Sequence, residues 1–184
     1  MECIYLNNRN YDGSQISSLW AYNVAGVQDD SIIYFRGTCN VEISHMIDLE
    51  DKRENEAIYS SDMIHFIIEH FDSTKLKLVY SRQRLFASIV SEILIDKGFN
   101  IKREGDDLFI NNKKLSVSIA STSAVSQKIH FGINVIHDYY ADLKSIGFEE
   151  CKIEQLMYEI AESYVNELDD IEKDLRKSKP LDVI

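Results

Sequence analysis

Residues 103–115 read Arg103-Glu104-Gly105-Asp106-Asp107-Leu108-Phe109-Ile110-Asn111-Asn112-Lys113-Lys114-Leu115, and this stretch decides the fold. Leu108–Ile110 is a short apolar run typical of a β-strand. The two asparagines that follow tolerate positive φ and predict a tight turn. Leu115–Ala120 then reads as the return strand, so the stretch predicts a β-hairpin.

Further strands are predicted on both sides of this hairpin. Val41–Leu49 alternates apolar and polar residues with a period of two, which is typical of a half-buried strand. The other strand-like runs are Cys3–Leu6, Ser31–Arg36, Lys75–Tyr80, Phe99–Arg103 and Lys128–Ile136.

Helical patterns alternate with these strands. Isoleucines and Phe71 form one stripe after Ser60 or Ser61, which predicts a helix that ends near Phe71. The other predicted helices are Gln15 to Ala21, Arg82 to Lys97 with Gly98 ending it, and Lys152 to Lys177 within a helical region that begins at Tyr139. Together the elements predict an α+β fold: a mixed, mostly antiparallel sheet flanked by helices, with a C-terminal helical segment.

Composition restricts the functional classes. The 184 residues fit one domain, 1–184, with residues 1–136 as the core and 137–184 as a helical extension. A net charge of −11 argues against a nucleic-acid partner, because such proteins need basic surface against phosphates. A local basic pocket for a small phosphate-bearing substrate stays compatible with it.

The cysteines and the apolar runs predict the compartment. Cys3, Cys39 and Cys151 are odd in number and far apart, which indicates reduced thiols. No run approaches the ~20 apolar residues that cross a bilayer, and the N-terminus lacks a signal-peptide core. We therefore expect a cytoplasmic protein without a membrane partner.

Charged side chains cluster at both ends of the hairpin. Asp106 and Asp107 stand where one strand begins, and Lys114 stands where its partner begins. Ser116 and Ser118 share a face with Lys114 by the period of two. A carboxylate there could hold Mg²⁺ and the ammonium could bind a phosphate or a carboxylate. The alternative is a solvated hairpin with a charged turn.

A second polar cluster precedes the hairpin. On the predicted helix, Asp62, His65 and Glu69 lie at i, i+3 and i+7 and share one face. With Asp48 and Glu50 from the preceding charged loop, this cluster predicts a divalent-metal site of Asp48, Glu50, His65 and Glu69. The alternative is a solvated polar face.

Two strand segments hold further candidates. His130 comes two residues before Gly132, and a glycine within a strand often marks the close approach of a ligand. His130 could orient that ligand or move a proton. Arg36 beside Gly37 could bind an anion through its guanidinium and an exposed N–H. The alternatives are a structural histidine and an exposed strand end.

Three short pieces resemble the catalytic domain of the biotin and lipoate protein ligases. Residues 106–115 resemble the biotin ligase run Asn-Asp-Leu-Tyr-Leu-x-x-Arg-Lys-Leu, and Gly132-Ile133-Asn134-Val135 matches the Gly-Ile-Asn-Val strand of that family. Residues 114–120 resemble the lipoate ligase strand Lys-x-Ser-Gly-Ser-Ala. The resemblance implies a ligase-like fold.

The resemblance also implies roles for individual residues. Asp107 would help to bind a metal or nucleotide, and Lys114 would contact the acyl carbonyl or a phosphate. Arg36 and Gly37 stand where the family has its glycine- and arginine-rich substrate loop, and Arg103 stands where biotin ligases have a lysine. The strand match makes Gly132 and Asn134 substrate-binding candidates. ATP and Mg²⁺ are the cofactors that this chemistry would use.

Over its whole length the chain resembles a small prokaryotic family, domain-of-unknown-function family 366. The matching pieces include Tyr11-Asp12-Gly13-Ser14-Gln15, Phe35-Arg36-Gly37, residues 65–71, residues 114–120 and His130-Phe131-Gly132-Ile133-Asn134.

Three functions therefore stay open. The first is a ligase or acyltransferase that binds a small carboxylate- or phosphate-bearing substrate at the 103–120 hairpin. The second is a metal-dependent hydrolase or transferase that uses the 48–70 cluster. The third is a non-catalytic small-molecule binder with the same fold. The apolar stripe of the C-terminal helix predicts docking against the core or against a second subunit in a homodimer.

Overall fold

Eight strands and four α-helices make up the protein in a computed structural model that describes residues 1–54, 58–179 and 181. The strands are β1 (Glu2–Tyr5), β2 (Ser31–Val41), β3 (Ile58–His70), β4 (Lys102–Glu104), β5 (Asp107–Ile110), β6 (Lys113–Lys114), β7 (Ser116–Thr122) and β8 (Gln127–Ile136). The helices are α1 (Trp20–Ala25), α2 (Leu49–Glu54), α3 (Leu76–Asp96) and α4 (Ile153–Lys177), with 3-10 turns at Ser14–Ile16, Ile43–His45 and Glu150–Lys152.

The main sheet has five strands in the order β1-β2-β3-β8-β7. β1 runs parallel to β2, and every other neighbouring pair is antiparallel. β4, β5 and β6 form a smaller antiparallel sheet. The predicted α+β class with a mixed, mostly antiparallel sheet is confirmed.

One face of the main sheet packs against α3 and α4. Phe66 of β3 and Phe131 of β8 both contact the Phe86 ring of α3, at centroid distances of 5.2 Å. Tyr164 of α4 packs edge-on against the same ring. The first half of α4 therefore belongs to the main core.

The opposite face packs against the chain between β1 and β2. Phe35 of β2 contacts Trp20 of α1, and Met63 and Ile67 of β3 lie in the same buried cluster. Tyr11 bridges to Cys39 at the edge of β2. The central strands are therefore covered on both faces.

The prediction of a helix that ends near Phe71 is wrong, because Ile58–His70 forms the central strand β3. Its last eight residues are buried without interruption because helices cover one face and the N-terminal segment covers the other. A strand buried on both faces has no alternation. Its isoleucines then imitate the stripe of a helix.

Four other boundaries differ from prediction. Lys75–Tyr80 was predicted as a strand, but Leu76 begins α3. The alternating run Val41–Leu49 leaves the sheet after Val41, and Leu49 is 80% exposed at the start of α2. The predicted helix Gln15–Ala21 is a 3-10 turn followed by α1, and residues 139–149 form bends, turns and irregular segments rather than a helix.

The predicted turn at Asn111-Asn112 is confirmed, but the return strand that pairs with β5 is the short β6 (Lys113–Lys114), whereas Ser116–Thr122, which includes most of the predicted return strand, pairs with β8 in the main sheet. Asn111 and Asn112 both have positive φ, 51° and 62°, as a two-residue type I′ turn requires. α4 also follows its predicted range, with Ile153 as the first residue. Among the described residues, no helix is both long and apolar enough to cross a membrane.

Candidate functional site

The predicted site residues lie in three separate places. The small β4-β5-β6 sheet holds Arg103, Asp106, Asp107 and Lys114, and the adjoining strand β7 holds Ser116 and Ser118. The buried centre of the main sheet holds His130, Gly132, Asn134, His65 and Glu69. The middle of β2 holds Arg36 and Gly37. Arg36 and Ser116 lie in one row across four strands. Three strand spacings separate their backbones by about 14 Å, so the structure does not bring Arg36 and the hairpin together.

The acidic and basic groups of the hairpin are paired with each other and with α3. The Lys114 ammonium lies 2.9 Å from an Asp107 carboxylate oxygen, and both side chains are partly exposed. Asp106 forms an ion pair with Arg84 and accepts a hydrogen bond of 2.8 Å from Gln83. Burial raises the pKa of Asp106, and Arg84 opposes that shift. The hairpin thus presents a balanced charge cluster.

The remaining hairpin candidates have partners in the chain. Ser116 Oγ accepts a hydrogen bond of 2.9 Å from the Leu108 N–H. Ser118 Oγ accepts one of 2.7 Å from Gln83 and donates to the His130 carbonyl. The Arg103 guanidinium donates to the Gly105 carbonyl at 2.6 Å. Ser116 therefore joins β7 to β5, and Ser118 joins β7 to α3 and β8.

The β8 candidates are enclosed by protein. A Cβ on Gly132 would lie 2.4 Å from Met63 Sδ, so the glycine makes room for a neighbouring side chain. Asn134 Nδ2 donates to the Ala141 carbonyl at 3.1 Å. The expected close approach at Gly132 is present, with Met63 in that position.

His130 and His65 form a stacked cluster with Tyr11. His65 Nδ1 lies 3.0 Å from His130 Nε2, and the Tyr11 ring stacks on His130 at a centroid distance of 3.6 Å. Burial lowers the pKa of His65 to about 3, and burial also lowers the pKa of His130 far below its usual value. Both rings are therefore neutral at pH 7.

The structure does not assemble the predicted metal site, because the helix on which it was argued does not exist. His65 and Glu69 are four residues apart on one strand, a separation of about 13 Å. Glu69 forms a buried ion pair with Lys128 at 3.0 Å. The side chain of Glu50 lies outside the described part of the chain, and Asp48 lies between the Ile43–His45 turn and α2.

One other group has the donor types of a metal site. Among the described residues, one set of three histidine, cysteine or acidic side chains lies close enough together to hold one metal ion, namely Asp30, His70 and Asp72. His70 already bonds Asp30 at 2.8 Å and the Tyr164 hydroxyl at 3.0 Å, and Asp72 holds Arg82 through both carboxylate oxygens. The group therefore reads as a hydrogen-bond network that joins β3 to α4.

A polar cavity of about 380 Å³ lies beside Arg36 and Gly37. The segment that follows β1 forms one wall, where the Arg9 N–H donates to the Arg36 carbonyl at 3.2 Å. A Cβ on Gly37 would lie 1.8 Å from the Arg9 carbonyl oxygen, so only glycine allows this approach. The lining residues are Asn8, Asn10, Arg36, Gly37, Thr38, Ser61, Asp62 and Glu150.

Two carboxylates hold the Arg36 guanidinium in this cavity. Asp62 accepts from Nε at 2.8 Å and from Nη2 at 2.5 Å, which is the two-point geometry that fixes an arginine. Glu150 accepts from Nη1 at 2.5 Å and is 66% exposed. Hydrogen bonding to Asp62 raises the pKa of Arg36.

Sequence reasoning named Arg36 and Gly37 but missed Glu150. Glu150 lies 114 residues away along the chain, in a turn that precedes α4. No local pattern marks it, because its role depends on where the C-terminal segment packs.

Comparison with known proteins identifies the family to which the chain belongs. A model of a domain of unknown function, DUF366, matches residues 1–179. The chain belongs to the DUF366 family. Another protein similar to this DUF366 chain is an uncharacterized protein of Methanocaldococcus jannaschii, MJ0805, which is 44% identical over 98% of this chain and 86% of its own length.

Solved structures show the fold of this DUF366 protein. A protein of unknown function from Pyrococcus horikoshi matches 98% of the chain and 100% of its own, with a TM-score of 0.89 and 35% identity. A biotin protein ligase from Aquifex aeolicus in complex with biotin and ATP matches 94% of the chain and 72% of its own (TM-score 0.63, 13% identity). A putative lipoate protein ligase from T. acidophilum with bound lipoic acid matches 90% and 86% (TM-score 0.63, 12% identity). The biotin/lipoate-ligase-like fold is confirmed.

Proposed function

We propose that this protein binds a small carboxylic acid in the cavity beside Arg36, with the carboxylate of the acid in the place that Glu150 holds at Nη1. One observation carries the proposal: a carboxylate of the chain itself already bonds this nitrogen at 2.5 Å. The cavity therefore has both the donor and the room for such a group.

Asp62 prepares the arginine for this role. It holds Nε and Nη2, so the guanidinium keeps one orientation whether or not Glu150 is in contact. A fixed guanidinium loses little conformational entropy when it binds a second carboxylate.

Glu150 is a weak competitor for the site. Its side chain is 66% exposed, and exposed ion pairs contribute about 0–1 kcal/mol. A ligand carboxylate that reaches Nη1 from inside the cavity can displace it at small cost. The amides of Asn8 and Asn10 and the hydroxyls of Thr38 and Ser61 offer partners for the rest of a polar ligand.

The fold supports the same ligand class. The two ligase structures hold biotin and lipoic acid, and each of these molecules carries a carboxylic acid. In a ligase-type reaction, a carboxylate oxygen of the acid attacks the α-phosphorus of ATP and pyrophosphate leaves. Lys114 and Asp107 would bind the phosphates and Mg²⁺ of such a nucleotide. Because their strands lie about 14 Å from the backbone of Arg36, the bound acid and nucleotide would have to span that distance for the reaction to occur.

Calorimetric titration of the full chain with small carboxylic acids, including biotin and lipoic acid, tests the binding step. Arg36→Met should weaken binding about tenfold or more, because charged hydrogen bonds contribute about 1.5–3 kcal/mol. Arg176→Met, at the exposed end of α4, is the matched control and should bind as the parent protein does. Absence of binding by the parent protein, or equal binding by Arg36→Met, would reject the proposal.

A further inference from the structure

A second cavity, of about 340 Å³, lies on the opposite face of the sheet from Arg36. Five serines and one threonine contribute to its wall, from residues 14–18 and from the end of β7. Lys128 of β8 also lines it, although the lysine side chain is only 1% exposed. The cavity thus combines many hydroxyl groups with one enclosed cation.

Lys128 lies at the centre of a row across three strands. Glu69 of β3 and Ser121 of β7 are its direct partners in the sheet register, so the three side chains share a face. The Glu69 carboxylate has three partners, since it accepts bonds from Lys128 at 3.0 Å, the Ser126 hydroxyl at 2.7 Å and the Leu19 N–H at 2.8 Å. The acidic member of the buried pair is well satisfied.

The basic member is not. An ammonium has three N–H donors, and the bond to Glu69 is the one hydrogen bond that Lys128 Nζ makes within the described chain. A buried cation with unused donors is costly unless another acceptor reaches it. The cavity is the space from which such an acceptor could come.

Hydroxyl groups beside Lys128 also make no hydrogen bond to another group of the described chain. Ser18 and Ser121 line the cavity, and neither side-chain hydroxyl bonds another group in the part of the chain that is described. Hydroxyls can donate to an oxyanion, and several of them around one ammonium form a suitable receptor.

We propose that this cavity binds a small oxyanion, the carboxylate or phosphate group of a polar molecule, on Lys128 Nζ with the hydroxyls of Ser18 and Ser121 as further donors. The site is separate from the one beside Arg36. Arg36 and Ser31 are five residues apart on β2, about 17 Å, and Ser31 lies in the row of Lys128. Arg36 follows Phe35 on β2 and therefore lies on the other face of the sheet, the one that α3 and α4 cover. Lys128 precedes the helix-covered Ile129 and therefore lies on the face away from these helices.

Burial lowers the pKa of Lys128, and Glu69 opposes that shift. A bound anion would add a second negative neighbour and favour the ammonium further.

Titrations of the full chain with inorganic phosphate and with acetate test the proposal, by calorimetry for affinity and by amide NMR shifts for location. We expect at least one of the two anions to bind and to shift residues 18 and 121–128. Tighter binding of phosphate would identify a phosphate-bearing ligand, and tighter binding of acetate a carboxylic acid. Binding of neither anion would overturn the proposal.

Two variants locate the binding. Ser121→Ala removes one hydroxyl, so affinity should fall about fivefold, whereas exposed Ser81→Ala on α3 should bind as the parent protein does. Lys128→Met combined with Glu69→Gln removes both charges and avoids a buried unpaired carboxylate. This double variant should bind the anion at least about tenfold more weakly than the parent protein does.

Arg36→Met separates this site from the proposed acid site and should leave anion affinity here unchanged. Unchanged affinity in the Lys128/Glu69 double variant, or shifts confined to the residues around Arg36, would overturn the proposal.

Discussion

His65 Nδ1 and His130 Nε2 share a hydrogen bond of 3.0 Å inside a cluster from which solvent is almost excluded. The other ring nitrogen of His65, Nε2, is buried and has no partner among the described residues. The pair therefore holds neutral rings in a place where a proton would be costly.

This pair predicts a loss of stability in acid. The folded pKa of His65, about 3, lies below its unfolded value of about 6.5, so the unfolded state binds more protons between those values. The contribution of the neutral His65 ring to the free energy of unfolding is therefore fully present above pH 6.5, and it is lost as the pH decreases towards 3. Each buried histidine should contribute a slope of up to about 1.4 kcal/mol per pH unit.

Urea unfolding between pH 7 and pH 4.5 measures this slope. His130→Gln retains a hydrogen-bonding side chain without a titrating ring, so its stability should depend less on pH than that of the parent protein. The exposed His45→Gln is the control and should keep the parent slope. A parent-like slope in His130→Gln would contradict this account.

Removing the internal competitor at Arg36 should strengthen acid binding. Glu150→Gln takes a negative charge from Nη1 and leaves Asp62 to hold the guanidinium. Affinity for the bound acid should rise about two- to fivefold, in line with the weak contribution of an exposed ion pair. Calorimetry would measure it, with Glu149→Gln as the control because Glu149 pairs with Lys152 instead. Weaker binding by Glu150→Gln would show that Glu150 helps the ligand rather than competing with it.

Gly37→Ala should damage both the fold and the acid site. The added Cβ would meet the Arg9 carbonyl, which is backbone and cannot rotate away. Separation of the two segments should lower the free energy of unfolding by about 2–3 kcal/mol. Gly26→Ala has open space around its Cβ and should cost only about 1 kcal/mol, from its φ of 70°. Chemical denaturation compares the two, and equal losses would argue against the contact at Arg9.

Binding of MgATP should depend on the ends of the hairpin. Lys114→Met and Asp107→Asn each remove one half of the ion pair that we assign to phosphate and metal. Each should weaken MgATP binding about tenfold in calorimetric titrations. Lys113→Met changes the exposed neighbour of Lys114 and should have no effect. If MgATP does not bind to the parent protein, the adenylating reaction is excluded while acid binding at Arg36 is still tested by its own titration.

Local patterns predicted the edges of this fold better than its centre. The Asn111-Asn112 turn and α4 followed directly from turn chemistry and helical periodicity. β3 did not, because burial on both faces removes the alternation by which a strand is recognised. The helix predicted there then placed His65 and Glu69 on a face that does not exist.

The candidate sites show a similar limit. Sequence could indicate Arg36 and Gly37, because an arginine beside a glycine is a local feature. It could not indicate Glu150 or Lys128, whose surroundings come from distant segments that only the folded chain brings together. Asp107 and Lys114 are in contact, as neighbouring strands of a hairpin allow.

The chain of hydrogen bonds from Asp30 through His70 to Tyr164 has a consequence for how the polypeptide is made. Asp30 precedes β2, His70 ends β3, and Tyr164 follows His70 by 94 residues along the chain. During translation the five-stranded sheet can be complete before α4 has been synthesised. Until then His70 and the aromatic cluster around Phe86 lack their contacts with Tyr164. The nascent protein should therefore stay sensitive to proteases until α4 has left the ribosome.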